Sequence, residues 1–315
     1  MSLKQNYSQL VTEIGRIVGN VDDTHLNNVI KERFNRNYEE LWNAFLWPGT
    51  IMRGSTATVA SRDRIAFAYP VREIITLWQR DTPDWIMVHD DPMQFIRNYY
   101  AHENTEGVPT DAMVEGKHFI HTDLPSDVTI DVLSDDAADT TQTVRIYGKK
   151  SNGAYATENL ALNGTTAVVS TNTYESTDQR MTFEISLSAV AAGTITIRGN
   201  DASDTEIATI RPGEIASEYL WYKLLYIPSA VGTVYWIAKK QPRRLVNDQD
   251  VTSIDVDSIL VPRTCADLLD HLQMDASYWR GVSNAAEAAA KAEILGQSAR
   301  MVKFVPESRH RYNLA

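Results

Sequence analysis

A single cysteine, Cys265, stands in 315 residues, so neither an intrachain disulfide nor a cysteine-built metal cluster is available. In its surroundings it reads as a small buried hydrophobe early in a helix. No apolar run approaches the roughly 18 residues of a membrane span. The opening MSLKQNYSQL lacks the basic-then-apolar order expected of a secretory signal. The phosphate-cradling G-x-x-x-x-G-K-S/T, the dinucleotide-binding G-x-G-x-x-G, the hydrolase elbow G-x-S-x-G and H-E-x-x-H are all missing. With 41 acidic against 30 basic side chains, a net charge of −11, the chain has no basic footprint for gripping nucleic acid. The same charge suits a conduit through which DNA slides without sticking.

What is present begins with a long amphipathic stretch, Asp22 to Gly49. Leu26, Val29, Ile30, Phe34, Tyr38, Leu41, Trp42 and Phe45 recur at three- and four-residue steps, which places them on one helical stripe. Asp23 or Thr24 supplies a cap, and Pro48-Gly49 a stop. The polar face carries Lys31, Glu32, Arg33, Asn35, Arg36, Glu39 and Glu40. A shorter helix with Tyr7, Leu10, Val11, Ile14, Ile17 and Val18 precedes it and stops at Gly19-Asn20, making a helical hairpin.

From residue 51 the period falls to that of strands, at 51–60, 64–69, 72–80, 84–88 and 117–121. A short helix from Pro92 to Tyr100 is capped by Asp91. Residues 124–212 are rich in Thr, Ser, Gly and Asn and offer seven short strands, with Asn163-Gly164 as the strongest hairpin signal. That number and spacing predict a β-sandwich of immunoglobulin-like size without a cross-sheet cysteine pair. Aromatic-rich strands follow at 217–227 and 233–239, turning at Pro228 and Gly232. Thr264 is expected to cap a second helical region, with Leu268, Leu269, Leu272, Ala276 and Trp279 on one stripe and a break at Gly281. Ala285, Ala288, Ala289, Ala292 and Leu295 continue as an alanine-rich helix whose flat face allows close helix–helix approach. The tail from Lys303 reads as an extended arm.

Chemistry is scarce. His118, His121 and Asp123 have the residue types of a metal site, but a strand's period of two sends the two histidines to opposite faces. In His89-Asp90-Asp91 the last aspartate is better used as a cap. Tyr219, Trp221, Tyr222, Tyr226, Tyr235 and Trp236 fit a core or an interface better than a stacking platform for sugars or bases. Arg309, His310 and Arg311 are a charged end. No catalytic, cofactor or metal residue is assigned, and the expectation is a protein that is not an enzyme.

The order of motifs resembles the head-to-tail connector (adaptor) proteins of tailed bacteriophages. It runs from the paired helices through Leu46-Trp47-Pro48, Pro70-Val71-Arg72-Glu73 and Gly107-Val108-Pro109-Thr110. It continues with Gly232-Thr233-Val234-Tyr235-Trp236, Gln241-Pro242, Leu245-Val246-Asn247-Asp248, Val261-Pro262 and the alanine-rich helix. The match covers about 1–123 and 228–300 and departs at 124–227. There the stretch Thr157 to Thr166 is similar to immunoglobulin-like domains inserted in phage structural proteins.

The expected fold is therefore α+β: a helical connector core with a small strand region, an inserted all-β immunoglobulin-like sandwich, and an extended C-terminal arm. The expected parts are 1–123, 124–227, 228–302 and 303–315, the insertion replacing the loop of a hairpin between 117–121 and 233–239. The resemblance implies a virion protein assembled in the host bacterial cytoplasm. It implies a ring of twelve copies under the capsid portal, with genomic DNA passing through and no membrane partner. Its expected partners are the portal protein and tail nozzle or tail fibre proteins. Phe304, Val305, Arg309, Arg311 and Tyr312 are the candidate portal-binding arm, and Arg33, Arg36, Ala285, Ala289 and Ala292 the candidate ring interface. The alternative is a carbohydrate- or receptor-binding module oligomerised by its helices.

Overall fold

A computed structural model describes residues 4–19, 24–79, 85–89, 91–102, 105–176 and 183–302, with side chains as far as residue 296. The chain divides into two compact units, Met1–Thr50 with Pro242–Ala315, and Ile51–Gln241. Among the described residues fourteen strands in three sheets stand against five α-helices, so the fold is mixed α+β but mostly sheet. This overturns the expected helical connector core with a small strand region. The physical reason is non-local: the short strands after Pro48 do not form accessory hairpins but recruit partners more than a hundred residues away. No helix among the described residues is long and apolar enough to cross a membrane.

In the first unit, α1 (Tyr7–Val18) opens with a reciprocal cap, Asn6 accepting from Gln9 N–H while Gln9 accepts from Asn6 N–H. It closes on Gly19 at φ +87°, where a side chain would be strained. The second helix, α2 (Thr24–Ala44), buries Ile30, Phe34, Tyr38, Leu41 and Trp42 against α1 and against α4 (Asp257–His271). The cap expected at Asp23 lies outside the described residues.

Two polar residues of α2 are interior, Asn35 against its assignment to the polar face and Asn37 beside it. Asn35 is buried and holds the backbone of Leu245 at both ends, donating to its C=O at 3.0 Å and accepting from its N–H at 2.8 Å. Asn37 is buried and donates to Asp267. Pro262 sits inside α4, and the helix begins at Asp257, so Thr264 is an interior buried residue instead of a cap. Cys265 is buried beside it, and burial pushes its thiol up to about 12. The last helix, α5 (Ser277–Val302), packs on α4.

The second unit starts with a seven-stranded sheet in the order β1-β14-β3-β4-β5-β13-β2. Its strands are β1 (Ile51–Ala57), β2 (Arg64–Ala66), β3 (Val71–Gln79), β4 (Trp85–His89), β5 (Asp111–His118), β13 (Tyr219–Leu224) and β14 (Thr233–Lys240). The sheet curls until its two ends, β1 and β2, draw within 8 Å of each other, in the manner of a small barrel with an open seam. Its inner face is filled by Ile65, Phe67, Ile74, Leu77, Tyr222 and Trp236. The helix α3 (Pro92–Ala101) is capped by Asp91, which accepts from Met93 N–H.

The insertion hangs between β5 and β13, which pair antiparallel with Tyr219 opposite His118. The pairing expected between 117–121 and 233–239 does not form, because β14 instead lies between β1 and β3. Both candidates alternate equally well, and period alone does not choose a partner. Within the insertion, β10 (Glu184–Leu187), β7 (Thr143–Lys149) and β8 (Tyr155–Ala161) form one sheet. The facing sheet is β12 (Glu206–Ile210), β11 (Ile195–Gly199), β6 (Val128–Ser134) and β9 (Val168–Tyr174). Ile130, Val132, Val144, Ile146, Ile195 and Ile197 form the core between them. Ala66, Tyr219 and Trp221 of the barrel join that same apolar cluster. The Trp221 indole N–H donates to Ile120 C=O at 2.7 Å, and the Tyr219 hydroxyl accepts from Thr209 N–H at 2.7 Å. The insertion is thus welded to its host sheet by buried aromatics.

Candidate interaction surfaces

The residues expected at a ring interface fall into two groups on different helices, each packed on α4. On α2, Arg33 and Arg36 line a cleft of about 480 Å³ with Val29, Glu32, Glu39, Arg244 and His271. Arg33 donates to Asp267 C=O at 3.3 Å, and Arg36 pairs with Glu40 at 3.5 Å. On α5, Trp279, Ala286, Ala290 and Ile294 turn inward, and Ser283 donates to Ile259 C=O. Ala285, Ala289 and Ala292 turn outward and are exposed, on the stripe that Tyr278 and Val282 begin. The steps from 278 to 282, 285, 289 and 292 alternate four and three, the spacing of a coiled-coil seam. The candidate arm residues Phe304, Val305, Arg309, Arg311 and Tyr312 lie outside the described residues.

The histidines find partners that sequence reasoning did not see. His89 sits 2.5 Å from Asp111, not beside Asp91, because β4 and β5 run parallel and side by side. His121 bonds Thr122 Oγ1 at 2.8 Å, lies 3.4 Å from Glu206 and sets its ring edge on Tyr219. Asp123 accepts from Arg62 at 2.6 Å. Since β5 ends at His118, the two-residue period does not extend to His121. Among the described residues no three His, Cys, Asp or Glu side chains are grouped to hold a metal ion.

Of the aromatic group, Tyr219, Trp221, Tyr222 and Trp236 are buried. Tyr235 stacks on Trp78 at 5.8 Å, and Trp78 reaches Trp85, which is two-thirds exposed, making a row across β14, β3 and β4. On the outer face of β10-β7-β8, Tyr147 and Tyr155 lie nearly parallel at 5.7 Å, with Arg145, Thr157 and Asn159 exposed around them. This pair was not singled out in the sequence, although Tyr147 and Tyr155 occupy outward positions of two alternating strands. A concavity of about 590 Å³ opens at the barrel seam. Residues of β1, β2, the 58–63 turn, the 121–125 link and Trp221 line it.

Comparison with known proteins adds little. No protein-family model matches the chain, and no curated protein matches it. Among solved structures it is similar to a chain of the structure of infectious bursal disease virus Gt strain, at 11% identity and a TM-score of 0.12, over 75% of this chain. That overlap spans 55% of the viral chain's length, and a likeness so slight carries no argument.

Proposed function

We propose that this chain is a structural virion protein, a subunit of the ring that joins the portal of a tailed-phage capsid to the tail. The carrying observation is the outward face of α5, where Ala285, Ala289 and Ala292 continue the seam of Tyr278 and Val282 and are exposed among the described residues. Small side chains at that spacing let a second helix approach closely, and the arginine-lined cleft of α2 offers a different surface to the next copy. Two unlike surfaces of one subunit support head-to-tail association, which closes into a ring when the rotation permits. The motif order shared with phage connectors supports the same reading, and the net charge of −11 suits a wall past which DNA moves.

Negative-stain electron microscopy of the protein alone and mixed with its portal tests the proposal. Rings are expected with the portal, and Arg33→Glu with Arg36→Glu is expected to abolish them in a chain that still melts cooperatively. Absence of rings from the unmodified protein with portal would sink it. A second reading is favoured by Tyr147 and Tyr155: a saccharide-binding face on the sandwich, since flat aromatic faces ringed by polar side chains suit sugar rings. A glycan array that is silent for the whole protein removes that reading.

A further inference from the structure

Antiparallel strands with one wet face alternate apolar and polar residues, whereas strands covered on both faces are apolar throughout. Three neighbouring strands of the barrel, β14, β3 and β4, are of the second kind. Their inward residues Ile74, Leu77, Ile86, Val234 and Trp236 belong to the barrel core. Their outward residues are apolar as well. Tyr235 and Ile237 of β14 and Trp78 of β3 are half-buried, and Trp85 and Met87 of β4 are exposed. Ile75, left unpaired by a bulge, is exposed beside them. A bare apolar shelf of this kind marks a contact surface.

The shelf has a step at one end. His89 follows Trp85 and Met87 on the outward side of β4, and Phe95 of α3 covers it, the two rings 6.1 Å apart. The helix therefore lies on the same face as a ledge. Its far side carries Met93, Arg97 and Tyr100, at the i, i+4, i+7 spacing of one stripe. Met93 is 60% exposed and Tyr100 69%, and Arg97 is exposed and forms no ion pair among the described residues. Ten helical residues make a ledge about 15 Å long. Three strands side by side make a shelf about 14 Å wide.

We infer that this face is a two-fold interface between two copies of the chain, the ledge of each lying on the shelf of the other. A ledge beside a shelf of matching size is self-complementary under a two-fold rotation. Area decides for this arrangement over one-sided docking. Aromatic side chains offer about 150–250 Å² each when whole. The partly exposed shelf alone falls short of the roughly 800 Å² per partner of a stable interface. The two-fold adds the ledge of the same copy as a second contact and brings the area to that order. Arg97 then comes against the indole faces of the shelf, which attract a guanidinium. The contact uses neither α2 nor α5, so it stands or falls apart from the ring.

Sedimentation velocity of the full chain without portal, over a concentration series, tests this. A dimer and nothing larger is expected, because a two-fold contact closes on itself. Trp85→Glu on the shelf and Tyr100→Glu on the ledge are each expected to weaken it at least tenfold, in chains that still melt cooperatively. A monomer at every concentration up to millimolar overturns the inference. So does a dimer indifferent to either change, or association that runs past the dimer and that these changes abolish.

Discussion

Gly54 faces the barrel interior, where an added Cβ would lie 2.3 Å from the buried indole of Trp236. The ring fills the space that every other residue type would claim. Gly54→Ala must push Trp236 off its contacts with Phe67, and overpacking of this kind costs about 1–3 kcal/mol. Urea denaturation should show that loss. Asp139 is the corresponding polar keystone of the sandwich. Burial alone would raise its carboxyl, but the Ser134 hydroxyl and the Ala192 and Gly193 amides donate to it and hold it below the ordinary carboxylate value. A depressed folded-state pKa gives stability that is present above about pH 4 and lost as pH falls through the folded value. Asp139→Asn is therefore expected to cost about 1–3 kcal/mol near neutrality. The gap from the unmodified protein should narrow in acid, as followed by melts between pH 7 and 3.

Among the elements, α2 and α5 make opposite demands. Phe34 and Trp42 of α2 are fully buried, and either change to alanine is expected to cost about 3–5 kcal/mol. Ala289 of α5 is exposed, so Ala289→Glu is expected to leave the melting temperature within a degree or two while preventing ring assembly. Melting curves paired with sedimentation velocity in the presence of portal would read both. An Ala289→Glu protein that assembles normally would remove α5 from the interface. These helices were legible because their apolar spacing is local. Their finer roles were not: Asn35 and Asn37 count as polar in any pattern, and only contact with Leu245 and Asp267 makes them interior.

For the whole second unit, the shared cluster around Ala66, Tyr219 and Trp221 couples barrel and sandwich. A segment comprising residues 51–241 is expected to melt in one calorimetric transition. Trp221→Ala should cost about 3–5 kcal/mol and, by loosening the weld, split the transition in two. A double transition in the unmodified segment would contradict the coupling.

The sequence by itself determined what is local: the helices, the stop at Gly19, the turn punctuation, and the alternating strands of residues 124–212. Each follows from spacing within a few residues, which physics reads directly as period and capping. Only the tertiary structure decided the partners. It put β13 rather than β14 beside β5, brought Asp111 to His89, and turned scattered short strands into a seven-stranded sheet. It also left a seam between β1 and β2. Strand pairing across a hundred residues depends on side-chain packing of the whole sheet, and an alternating pattern fits many partners equally until that packing selects one.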